Sequence, residues 1–186
     1  LSIFKIKNKD SIIAFYTLRK GKAAWELMNN RVILYNEIKK SKNHGLNPLD
    51  YNESVLKTNI SFDSLTSKNN ALTDIIFTDS YLSYVHHLAN GKINPSVIYD
   101  DWKLDLNNFK FNSILNTSLE NNSLVKSFDV FKPQSIIYKN LTKQLPILRV
   151  LIKKDSSRTV LNYGTKIKPL NSNKRIINIR KRLYEI

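Results

Sequence analysis

Apolar residues recur at helical spacing along most of this chain, most clearly between Leu72 and Ala89. On an α-helical wheel Ile75, Phe77, Tyr81, Leu82, Tyr84, Val85, Leu88 and Ala89 share one broad arc. Thr73, Asp79, Ser80, Ser83, His86 and His87 lie mainly on the other. The pattern predicts a helix over 71–90 with its apolar arc in a core and its polar arc outside. Gly91 suits the left-handed residue just past a helix end, and Pro95 cannot continue a helix because it has no amide hydrogen. Weaker periodicities predict helices at 11–20, 30–43, 111–121, 133–152 and 174–185. Asn30 reads as the cap of the second, Gly45 as the residue just past its end, and Leu34, Tyr35 and Ile38 as its apolar stripe. Pro133 suits a first helical turn, whereas Pro146 predicts a kink or break near Leu145.

Residues 46–70 and 91–110 are rich in Asn, Ser and Asp and read as connecting loops with short helical turns inside them. Strand-like alternation never persists, although Thr159 to Lys168 suits a short hairpin. No internal repeat is visible. The expected fold is mainly α, an irregular helical bundle of about five to six helices with long loops.

At 186 residues and 41% hydrophobic, the chain is large enough to bury a substantial core. No apolar run approaches the 18 residues of a membrane span, and Leu1-Ser2-Ile3 with its following lysines lacks the long apolar region of a signal peptide. A secreted parent would have lost its signal before Leu1. The absence of cysteine excludes disulfides and thiol nucleophiles. The net charge of +15 is uneven: residues 1–43 carry +7, residues 44–138 carry −3 and residues 139–186 carry +11. Basic ends attract polyanions such as nucleic acid, anionic lipid or acidic wall polymers. With 23 Lys and 23 Asn against four Gly, the same excess is what an A- and T-rich gene would encode, and that reading is preferred.

Four constellations resemble chemistry, and each is better read as structure. Asp79, Ser83 and His86 share a helix face, but a triad needs its imidazole to bridge the other two groups, which rungs of one helix do not allow. His86 and His87 point about 100° apart on a helix and make a poor metal site. Asp100, Asp101 and Asp105 around Trp102 read as a solvated loop with the indole anchored in the core. Arg175, Arg180, Lys181 and Arg182 with Tyr184 could grip phosphate and stack a base, but they also form the polar side of a helix whose Ile176, Ile179 and Leu183 seek a core. Trp25 could offer a flat platform for a sugar ring, yet beside Ala23-Ala24 it is expected in the core. No catalytic, cofactor-binding or metal residue is assigned, and any substrate-binding residues stay unknown.

Leu72, Thr78, Tyr81, Tyr84, Leu88, Gly91, Pro95 and Trp102 together resemble the signature of the scaffold domain of periplasmic murein L,D-transpeptidases. Three further matches follow that family's order. Phe15-Tyr16 with Arg19 and Ala24-Trp25 resembles its opening helix and Ala-Trp pair. Gly45-Leu46-Asn47-Pro48 with Asp50-Tyr51 resembles its GLxPxDY turn, and Tyr138, Leu141, Leu145 and Leu148 resemble its Tyr-containing last helix. Gly164 to Ile186 is similar to the approach and first helix of a peptidoglycan-binding repeat, on Ile176, Ile179, Arg180, Arg182 and Leu183.

The resemblance implies a helical scaffold domain over 1–160, then over 161–186 a linker and the truncated start of a peptidoglycan-binding-like module. It further implies a bacterial periplasmic or envelope protein. Its catalytic domain would carry a cysteine nucleophile in a Ser-x-Gly-Cys-type motif, which this chain lacks. The implied role is therefore that of a noncatalytic segment, with the parent's catalytic domain and peptidoglycan as partners and no cofactor. The alternative is a stand-alone basic helical domain that binds nucleic acid.

Overall fold

A computed structural model of the chain describes residues 6–60, 67–94, 97–98, 107–155, 159–170 and 172–184. Eight α-helices occur among them: α1 (Lys9–Leu18), α2 (Met28–Lys40), α3 (Glu53–Thr58), α4 (Ser67–Asn90), α5 (Phe111–Glu120), α6 (Leu124–Phe131), α7 (Ile136–Asp155) and α8 (Arg175–Tyr184). Two 3₁₀ turns, Ser41–His44 and Pro48–Tyr51, separate α2 from α3, and no strand occurs among the described residues. The mainly α architecture matches expectation, with α6 added. The short turns expected within 46–70 are the second 3₁₀ turn and α3. Trp102, Pro95, Asp100, Asp101 and Asp105 lie outside the described residues.

The chain divides into two units, residues 1–142 and 143–186. In the first, α4 is the central element and packs against α1, α2, α5, α6 and the second 3₁₀ turn. Phe77, Tyr81, Tyr84 and Val85 of α4 are fully buried. Around them lie Phe15 of α1, Trp25, Leu34 and Ile38 of α2, Tyr51, Leu56 of α3, Leu115 of α5, and Leu124, Phe128 and Phe131 of α6.

The predicted polar arc of this helix is where the structure departs most from the wheel. Thr73, Asp79, Ser80 and Ser83 are buried like the apolar residues, and so are Asp74 and Thr78, while Ile75 is only half-buried. From Thr73 to Val85 the helix is enclosed on nearly all sides, so its polar side chains there must find partners within the protein. Of the predicted polar arc, only His86 is exposed and His87 half-buried.

Helix boundaries differ for local reasons. Asn30 does not cap α2. The helix starts at Met28 after Leu27, with no side-chain cap, and Asn30 is buried in its first turn. Gly45 does close this region with φ 76°, past the 3₁₀ turn that extends α2, and Gly91 closes α4 with φ 80°. Pro133 precedes α7 rather than opening it, because Ser135 is the cap: its Oγ accepts from the Tyr138 amide at 3.2 Å. Pro146 sits inside α7 and does not interrupt it, although it removes one amide donor from the ladder.

In the second unit the hairpin expected at 159–168 does not form, for those residues carry no strand. Gly164 is not in the left-handed region that a two-residue hairpin turn requires. Instead the Arg175 guanidinium lies over it, where a Cβ would collide, and donates from Nη1 to the Thr165 carbonyl at 3.1 Å. The apolar side of α8 finds only partial cover, with Ile176 and Ile179 half-buried and Leu183 exposed.

The packing of α4 makes a direct prediction. Leu88→Ala, at a residue 4% exposed, should cost about 2–5 kcal/mol, whereas Leu72→Ala, at one 45% exposed, should cost within roughly 0.5 kcal/mol. Urea melts of the two variants check this, and equal shifts would contradict it.

Candidate functional site

Two buried aspartates on α4 organise the polar interior. Asp74 accepts three hydrogen bonds: Oδ1 from the Trp25 amide at 2.7 Å, and Oδ2 from the Ala24 amide at 2.9 Å and the Tyr16 hydroxyl at 2.6 Å. One turn on, Thr78 Oγ1 takes the Trp25 indole N–H at 3.0 Å, lies 2.8 Å from the Tyr16 hydroxyl and donates to the Asp74 carbonyl at 3.1 Å. Burial, followed by the Asp74 charge, pushes the Tyr16 phenol well above its ordinary range, so it stays protonated and donates. Asp79 Oδ1 accepts from the Asn8 amide at 2.9 Å, the Lys7 amide at 3.1 Å and the Asn8 side-chain amide at 2.9 Å. That same amide donates to Ser83 Oγ at 2.7 Å. Asp79 thus holds the start of α1, while Asp74 holds its last turn and the segment leading to Trp25.

A cleft of about 1150 Å³ adjoins the Asp74 cluster. Ile12, Ile13, Trp25, Ala71 and Ile75 give it apolar walls, and Lys20, Glu26 and Arg31 add charge. Both Asp74 oxygens already have donors and the Tyr16 proton is held tightly, so the arrangement suits binding rather than proton transfer.

Two tyrosine–histidine pairs lie elsewhere in this unit. The Tyr51 hydroxyl is 3.0 Å from His87 Nδ1, and the Tyr138 hydroxyl is 2.6 Å from His44 Nδ1 with the rings stacked. Burial raises both phenols and so keeps them protonated, and the imidazole tautomer sets which partner donates in each pair. Burial also lowers both histidines. Lys132 adds to this at His44 against the opposing Glu37; His86, Lys92 and Lys7 add to it at His87 against Asp50.

The suggested triad is not assembled. Asp79 and Ser83 are spent on Lys7 and Asn8, while His86 is exposed and packs its ring against Phe111 and His87. No group of three or more potential metal ligands occurs among the described residues. Trp25 is 1% exposed and packs on Phe77 and Tyr81, which removes it as a sugar platform. Arg180, Lys181 and Tyr184 are exposed on α8, while Arg175 and Arg182 are half-buried. The residue that matters most, Asp74, carried no motif to single it out. Its one signal was a carboxylate within a long helix that has no Lys, Arg or Glu from Ala71 to Asn90.

Residues 10–145 match the family model described as Scaffold domain, and the chain belongs to that family. No curated protein and no solved structure matches it. The matched span covers nearly all of α1, then α2 through α6 and the first half of α7; it includes the Asp74 cluster and both tyrosine–histidine pairs, and of the Asp79 cluster it includes Asp79 and Ser83 but not Lys7 and Asn8.

Replacing Asp74 by Asn keeps the shape but turns one acceptor into a donor facing a buried donor. The expected loss is about 2–4 kcal/mol, against roughly 0.5 kcal/mol or less for Asp129→Asn, whose side chain is 69% exposed and pairs with Lys132 just past the end of α6. Chemical denaturation of both variants measures the difference.

The histidines predict a pH effect of definite sign. Their folded pKa values lie below the ordinary 6.5, so unfolded histidines bind protons first as the pH falls. Their contribution is complete above about pH 6.5 and is lost on acidification through the folded values. The melting temperature should fall between pH 7.5 and 5.5, and the slope should flatten in the His44→Gln, His87→Gln double variant. An unchanged slope would show that other groups set it.

Proposed function

We propose that this chain is the noncatalytic scaffold segment of an L,D-transpeptidase-like protein that crosslinks or remodels peptidoglycan in the bacterial envelope. The observation that carries the reading is where the transpeptidase-like positions sit. Tyr16 and Trp25 meet Thr78, Trp25 packs on Tyr81, and Tyr51 packs on Tyr84. Three separate stretches of the resemblance thus account for one another as parts of a single framework. Membership of the Scaffold domain family supports the same reading at a coarser level.

The chemistry then belongs to a separate domain of the parent. Its cysteine would attack the peptide carbonyl of a tetrapeptide stem, expel the terminal D-alanine and pass the acyl group to an amine on a neighbouring stem. This chain contributes rigidity: its buried carboxylates and hydroxyls fix helix positions, which is what a support for another domain requires.

The isolated chain should give a helical circular dichroism spectrum with a cooperative melt, and should release no D-alanine from tetrapeptide stems. The full-length parent should release it, and alkylation of its cysteine should abolish the release. A parent without such activity, or release by this chain alone, would overturn the reading.

A further inference from the structure

The cleft beside Asp74 lies wholly within the first unit and has a defined frame. Ile13 and Thr17 of α1, with Lys20 just past its end, line one side, and Asn70, Ala71 and Ile75 of α4 line the other. The bonds from the Tyr16 hydroxyl and the Trp25 amide to Asp74 tie the two sides together. At about 1150 Å³ the cleft exceeds the roughly 300–1,000 Å³ of most small-molecule sites and has room for a long flexible chain. Ile13, 56% exposed, leaves apolar surface in water there, and covering it would be favourable.

Charge narrows the occupant further. Among the described residues that line the cleft, Lys20, Glu26, Arg31 and Asp74 are charged. Asp74 already accepts from three donors and has little left to offer a cation. Lys20 and Glu26 are exposed, whereas Arg31 is 4% exposed. A guanidinium stays charged and carries five N–H donors, so Arg31 can serve a partner within the protein and still offer a donor to the cleft. A buried cation attracts an anion more strongly than the same charge in water, and the solvated Glu26 opposes it only weakly. The balance favours a ligand with an apolar body and one negative head. A nucleic-acid strand fits less well, because the rings that line the cleft are the buried Trp25 and the half-buried Tyr16, and neither is free to stack on a base.

We infer that this cleft binds a single-chain anionic amphiphile, its hydrocarbon chain against Ile12, Ile13 and Ile75 and its carboxylate or phosphate head at Lys20 and Arg31. The test is calorimetric titration of the chain with dodecanoate, dodecyl phosphate and dodecylammonium, each below its micelle-forming concentration. Salt at about 150 mM screens the general attraction of anions to a chain of net charge +15. One saturable site is expected for both anions, about tenfold or more tighter than for dodecylammonium and than for acetate or inorganic phosphate, and the tighter of the two identifies the head. Ile13→Glu should weaken anion binding about tenfold or more and Lys20→Gln about threefold or more, while Glu26→Gln should tighten it. These three positions are exposed, so the melts should be preserved. Leu49→Glu and Lys57→Gln make the same charge changes at exposed sites outside the cleft and should leave binding as it was. Equal affinity for anion and cation, anion binding that survives Ile13→Glu, or no saturable binding at all would each overturn the inference.

Discussion

Two carboxylates buried in the middle of a helix hold the first unit together. A charge taken out of water costs several kcal/mol unless it is fully hydrogen-bonded, and Asp74 and Asp79 each meet that demand with three donors from the same neighbouring region. Because most of those donors are main-chain amides, the carboxylates specify backbone position, where apolar contacts alone would let α1 slide or rotate on α4. The remaining polar side chains of α4 repeat the device on other faces. Ser80 Oγ accepts from the side-chain amide of Asn52, just before α3, and the Tyr81 hydroxyl donates to Ser127 on α6. Hydrophobic burial supplies the bulk of the stabilisation, and these few directional bonds select one arrangement.

Much of the helical pattern was legible because apolar spacing survives in a packed helical bundle. The long helix, its stop at Gly91 and the left-handed Gly45 all follow from local rules. The wheel failed where locality failed. It assigned Asp79, Ser80 and Ser83 to solvent because polarity usually marks an exposed face, yet their partners lie far away in sequence. The composition of 71–90 held the correction: a chain with 30 Lys and Arg places none there, and the polar positions are filled by Ser, Thr, Asp and His, which are small or able to bond inward. Asn30 misled for a related reason, since burial and a cap are both served by an amide. α6 was missed because its apolar spacing, Leu124, Phe128 and Phe131, covers barely two turns.

The candidate site was less legible than the fold. Asp74 has no neighbour in sequence that announces its role, and the Ala24 and Trp25 amides that it binds are invisible to any motif of side chains. What the sequence did show was the absence of a nucleophilic thiol, and the structure adds that the groups most suggestive of chemistry are committed to holding helices. On the function proposed above, rigidity and reactivity fall to separate parts of the parent protein.

The long reach of the Asp79 bonds also bears on how the chain is made. Asp79 and the Lys7 amide are 72 residues apart, and Tyr16 lies 58 residues before Asp74. At about 5–20 residues per second, α1 leaves the ribosome roughly 4–14 s before its anchors exist. Ten residues are too few for a helix to persist alone. Through that interval Ile12 and Phe15, both core residues in the finished fold, remain uncovered. The segment around α1 therefore reaches its final packing only once α4 has been made.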